Sequence, residues 1–411
     1  MKDLYFDVRD IFRTSRIALS GKKIWVHLIG LFTGWIIYLI LTYLAFIING
    51  LTIPEIWQTY HLFPSLCASA GAFTWYSWLI YGIGIFIWVA VFLYFSVAVA
   101  RITYKQLKGD EFFSSGDSLK YAKKHGKSAI LAPISIILII AFFIVMAIIA
   151  AWISKWPVLD ILFFGLPYLL YFVVAVFVIY TALALIVSII LGPAIIGSAE
   201  EDTMETVFQS YSTLWSQPWR LICYEGLVGL LSVVATFIYG YFMVAGFKFF
   251  NYVFGQSWLM GDKIEKITSA ASSYFCGSNS PLAEYFVSLF GDNSTMILFI
   301  KNINASAGTG LGLTGTITTI LVTIAILFIF TSVIAYALTN ITVGQTLIYV
   351  VLRNKKDEEN LLERKDEDEL EEEEEMEADF EEEELPGEGL AEEDSDIEEE
   401  IEESEEEEDK E

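Results

Sequence analysis

Six stretches of this chain stay apolar for the length that a membrane demands. A helix crosses the roughly 30 Å hydrocarbon layer with about 20 apolar residues, and nothing else in the sequence restricts the fold as strongly. The runs fall at about 24–48, 74–100, 129–152, 158–192, 221–249 and 313–338. The fourth and sixth exceed the minimum, so tilt or extension past the bilayer is expected. Backbone polar groups inside lipid must be paired within the segment, which makes each run a helix. The chain therefore reads as an all-α, polytopic integral membrane protein with six transmembrane helices. Its first 23 residues hold six Lys or Arg and three Asp. They contain no short apolar core with a small-residue cleavage site, so the first span is expected to act as an uncleaved anchor.

Charge divides the chain in two. The formal net charge is −27, but 35 of the 52 acidic residues lie from Asp357 onward, beside only 3 basic ones. The remaining body carries 17 acidic and 22 basic residues. We therefore expect a six-helix membrane domain over 1–356 and an acidic tail over 357–411. Stretches such as "EEEEEMEADFEEEE" repel themselves and offer too little apolar area to offset chain entropy, so the tail is expected to be disordered. Leu361, Leu362, Leu370, Met376, Phe380, Leu385, Ile397 and Ile401 punctuate it. Acidic segments with spaced hydrophobes suit basic, partly apolar partners.

Loop charges set the orientation, because Lys and Arg accumulate on the cytoplasmic side. With both termini inside, 17 basic residues are cytoplasmic and five are outside: Lys155, Lys248, Lys263, Lys266 and Lys301. The expected location is the plasma (inner) membrane, multi-pass, with both termini cytoplasmic.

Three cytoplasmic stretches share a pattern: "DVRDIFRTSRIALSGKKIW", "EFFSSGDSLKYAKKHGKSAI" and "EEDTMETVFQSYSTLWSQPWRLI". Each has early acidic residues, a Gly or Pro break and a basic residue before a span. Acids favour a helix start and cations its end. Val207, Phe208, Tyr211, Leu214 and Trp215 share one helical face, as in a helix lying at the membrane interface. The chain thus reads as three units, each an interfacial elbow followed by a membrane hairpin. Mitochondrial carriers share that arithmetic, but their P-x-[DE]-x-x-[KR] signature occurs in no unit. The segments "RITYKQLKGDEFFSSGDSLKYAKKHGK" and "GPAIIGSAEEDTMETVFQSYSTLWSQPWRL" resemble the six-span membrane domains attached to some glycerophosphodiester phosphodiesterases. The likeness covers about residues 90–235, is a polarity pattern, and brings no catalytic motif, so no phosphodiesterase activity is expected from it.

Chemical motifs are thin. "GLGLTG" at 310–315 matches the dinucleotide fingerprint, but a membrane span follows it and no Asp or Glu appears before Asp357 to bind a ribose. It reads as a glycine entry into a Thr-rich helix. His27, His61 and His125 lie in separate segments, with no metal-ligand spacing. No enzyme activity and no cofactor are expected. Ionisable groups within membranes usually mark function, and the middle thirds of the runs contain none. At the cytoplasmic layer, His27, Arg101 and Glu225 are candidates for a polar clasp. Gly30 and Gly34, and Gly226 and Gly229, are candidate helix-packing faces, since small residues let backbones approach. Packing within one chain is the first reading and a homodimer contact the second, so the oligomeric state stays open. Cys67 and Cys276 both fall outside, where an oxidising compartment would permit a bridge.

Two functions remain. The first is a non-enzymatic scaffold or accessory protein in the lipid bilayer, recruiting a basic cytoplasmic protein through residues 357–411; no nucleic acid partner is expected. The alternative is a transporter or channel for an uncharged or lipidic solute, using Asn340 and Gln345 of the sixth span.

Overall fold

The computed structural model describes residues 4–60, 62–68, 73–273 and 312–366. Its compact membrane unit runs from Met1 to Leu362, and the chain from Glu363 to Glu411 forms a separate unit. The boundary expected after residue 356 therefore moves to Leu362, because the last helix and the turn after it belong to the body. Residues 367–411, and with them the expectation of a disordered tail, lie outside the described residues.

Among the described residues there are helices and turns but no strands. Short α1 (Val8–Ile11) and α2 (Thr14–Ala18) precede the first span, α3 (Gly21–Ile48). Helix α4 (Ile53–Tyr60) and a 3-10 turn (Leu66–Ala68) lead to α5 (Trp75–Lys108). The second unit comprises α6 (Ser115–His125), α7 (Lys127–Ile153), a π turn (Ile161–Gly165) and α8 (Tyr168–Ala199). The third comprises α9 (Thr203–Ser216), α10 (Pro218–Phe254), α11 (Asp262–Ser273) and α12 (Leu313–Asp357). Six of these helices, with α6 and α7 counted as one, are long and apolar enough to cross a membrane.

Each expected elbow is helical and ends where the sequence breaks it. Ser114 caps α6 by accepting the Asp117 N–H at 3.1 Å, and Asp202 caps α9 by accepting from Glu205 N at 2.9 Å. Such caps satisfy amides that have no partner inside the helix. At Gly126, between α6 and α7, a Cβ would strike the Ala122 carbonyl, and the Tyr94 ring at 2.8 Å. Only glycine fits that corner. Pro218 opens α10 at its first turn, where its missing N–H costs nothing.

The units interlock in a cycle. Helices α5, α8 and α12, the second members of the three hairpins, each pack against the other two. Elbow α6 rests on α5 and α3, elbow α9 on α8 and α7, and α2 on α12 and α10. Every elbow thus leans on the hairpin before it, with the first closing onto the third. Tyrosine hydroxyls fasten the elbows: Tyr336 to the Ser15 carbonyl (3.4 Å), Tyr180 to Tyr211 O (3.1 Å), and Tyr121 of α6 to Ile196 O (2.6 Å).

Candidate functional site

At the elbow end, the three central helices are buried on every face. Residues 96–105 of α5, 191–199 of α8 and 342–352 of α12 are buried without interruption. A water-filled bore along any of these faces would expose it, so this end is closed. Small residues make the closure possible. A Cβ on Gly197 would lie 2.6 Å from Ala100 Cβ and 3.0 Å from Arg101 N. One on Gly344 would overlap Val228. Toward the far end α7 and α8 present apolar side chains outward, including Leu138, Phe142, Ile148, Leu169 and Phe172, as lipid-facing helices do.

Polar groups are distributed through the closed end, but not as the expected clasp. Arg101 is fully buried and its Nη2 lies 2.7 Å from Glu200 Oε1, with its guanidinium 4.3 Å above the Tyr121 ring. Its carboxylate is therefore supplied by the end of α8, not by Glu225. His27 is also buried, but it faces hydroxyls: Nδ1 is 3.0 Å from Thr339 Oγ1, and Nε2 is 3.4 Å from Ser96 Oγ and 3.5 Å from Thr342 Oγ1. Thr339 and Ser96 also hydrogen-bond the carbonyls of Ala335 and Phe92, one turn back on their own helices. Glu225 keeps one buried oxygen, Oε1, without a hydrogen-bond partner. The three residues share an end of the bundle, yet three different neighbourhoods hold them. Sequence position gave their depth; it could not choose among partners that a turn of helix rotates away.

Of the glycine pairs, the structure uses one. A Cβ on Gly30 would approach Phe95 within 2.7 Å, and one on Gly34 would overlap Trp88, so α3 and α5 pack closely there. Gly226 and Gly229 have open space around them, with no atom of a neighbouring element within 4 Å of where a Cβ would stand. They do not pack within the chain. Cys67 stands exposed on the 3-10 turn, and Cys276 lies outside the described residues. So does Gly310; Gly312 caps α12 and Gly315 is buried within it.

The root of the acidic tail forms the second part of the site. Helix α12 continues past its apolar run to Asp357 and ends at Glu358 in the left-handed conformation, φ 54°. Arg353 Nη2 and Nε contact Glu359 Oε2 at 2.9 and 3.0 Å, and Nε contacts Asp357 at 3.0 Å. Lys355 reaches back to Asp7 at 2.6 Å. That hydrogen bond, with the charge behind it, holds the Asp7 carboxyl below its ordinary value. The Tyr104 hydroxyl donates to the Leu361 carbonyl at 2.7 Å, and Leu361 is fully buried among Ile11, Tyr104 and Tyr349. The sequence offered one signal of this: paired Leu361 and Leu362 at the start of an otherwise charged segment.

These features define a multi-pass α-helical membrane protein whose spans close at the elbow end. No family model, curated protein or solved structure matches the chain. The likeness to phosphodiesterase-linked membrane domains accordingly rests on its polarity pattern alone.

Proposed function

We propose that the protein is a non-enzymatic organiser of the plasma (inner) membrane, with both termini cytoplasmic, that recruits a basic cytoplasmic protein through its acidic tail. The observation that carries this reading is the fixed root. Arg353, Lys355 and Tyr104 hold residues 357–361 to the body, so the acidic sequence leaves a rigid platform and not a frayed helix end. The closed end favours a platform over a conduit, since passage of an uncharged or lipidic solute requires residues 96–105, 191–199 and 342–352 to part. The 17-to-5 distribution of basic residues supports the orientation.

Capture from cytoplasmic extract by full-length protein and by a variant lacking residues 363–411 tests the proposal. The expected result is a set of basic proteins held by the first, absent from the second, and released as the Debye length falls from about 10 Å at 0.1 M salt to about 3 Å at 1 M. Identical capture by both forms, together with solute uptake into liposomes carrying the truncated form, would support transport instead.

A further inference from the structure

The loop joining α5 to α6 presents the most exposed large apolar side chain among the described residues, Phe112, at 92%. It is not loosely held. The Asp110 carboxylate accepts the N–H groups of Phe112 and Phe113 at 2.9 Å each, fixing a turn. Phe113 is turned inward to pack beneath it against the core shared by α3, α5 and α6. Lys22 of α3 donates to the carbonyls of Glu111 and Phe113 at 3.2 and 3.3 Å, which fastens the same turn to the start of a membrane span. Beside it, Lys120, Lys123 and Lys127 recur at helical spacing and are exposed, with Lys124 between them. Three acids stand near them: Asp117 is held by Ser114 and Lys120, Asp110 is committed to the turn, and Glu111 is exposed beside Phe112. The α1–α2 elbow also carries exposed Arg9, Phe12 and Arg16, whereas the α9 elbow carries Glu200, Glu201, Asp202 and Glu205, so basic charge is not common to all three elbows.

We propose that this corner, Phe112 with Lys22, Lys120, Lys123 and Lys127, is a docking site for anionic phospholipid of the leaflet at the elbow end. A rigid aromatic wedge beside a row of ammonium groups matches the two layers of a bilayer surface, acyl chains below and phosphates above. An acidic protein surface would leave Phe112 without an apolar environment. A free phosphate would find lysines but no enclosed cradle.

The test is native mass spectrometry of the full chain in detergent with phosphatidylglycerol or phosphatidylcholine added. Wild-type protein should retain phosphatidylglycerol in preference to phosphatidylcholine. The variant Lys120→Gln/Lys123→Gln/Lys127→Gln should lose that preference by at least tenfold, since each lysine near an anionic surface contributes roughly fivefold. Phe112→Ser should weaken retention of both lipids, and unchanged melting midpoints would confirm that the variants are folded. Equal retention of the two lipids by the wild type, or an unaltered preference in the triple variant, would overturn the proposal. So would displacement of phosphatidylglycerol by millimolar inorganic phosphate, or by a polyglutamate peptide bound in its place.

Discussion

Arg101 shows how a single side chain can hold two units together. It leaves α5 of the first hairpin, pairs with Glu200 at the end of α8 in the second, and stacks on Tyr121 of the elbow between them. Removing one partner of a buried pair leaves an uncompensated charge, at a cost of about 3–5 kcal/mol. Arg101→Ala should therefore lower the unfolding midpoint sharply in detergent. Glu200 also sits at φ 59°, where a side chain is strained. Glu200→Gly relieves that strain, worth about 1 kcal/mol, while losing the charge. It should be less damaging than Glu200→Gln, and an equal loss would show that the backbone is not under strain. Glycines separate in the same way. Gly34→Leu forces Trp88 aside and should cost about 1–3 kcal/mol, whereas Gly226→Ala meets open space and should be neutral within about 0.5 kcal/mol. Equal effects in thermal melts would refute the packing assigned to each.

At the scale of elements, apolar runs located the spans but not their ends. The second run stops near residue 100 and the sixth near 338, yet α5 continues to Lys108 and α12 to Asp357. Hydropathy ends at the first polar residue. These helices carry Arg101, Thr103, Asn340 and Thr346 into burial because the elbows cover them. The fourth run errs in the other direction: Pro167 and a π turn postpone α8 to Tyr168, ten residues after the run begins at Val158. Elbows were legible because capping and glycine breaks are local signals; the cyclic way they lean on preceding hairpins is a long-range property with no local trace. Asp202→Ala removes the α9 cap and should cost about 1 kcal/mol, read as faster amide exchange across Thr203–Ser216. Asp7 ties α1 to α12 through Lys355, and its depressed pKa means that the folded state gains from the ionised form. That contribution is present above the ordinary carboxylate range and lost as pH falls through the depressed value. Asp7→Asn should therefore be less stable than wild type at neutral pH and no different in strong acid, as melts across that range would show.

The whole molecule is a closed six-helix body followed by an acidic segment that begins at a fixed root. Fold class was written in the apolar runs, and the charge of the tail in plain composition. The site was only partly legible: His27, Arg101 and Glu225 lie at one end of the bundle, but their partners depend on helix rotation. On the proposed reading, six crossings place the elbows, and the tail root with them, in the cytoplasm. Labelling of single cysteines in cells with a membrane-impermeant maleimide, after Cys67, Cys223 and Cys276 have been replaced by Ser, tests this orientation. Thr59→Cys, on exposed α4, should react in intact cells, while Lys123→Cys, on α6, should react only after permeabilisation. Reaction of Lys123→Cys in intact cells with Thr59→Cys protected would contradict the orientation and, with it, a cytoplasmic role for the tail.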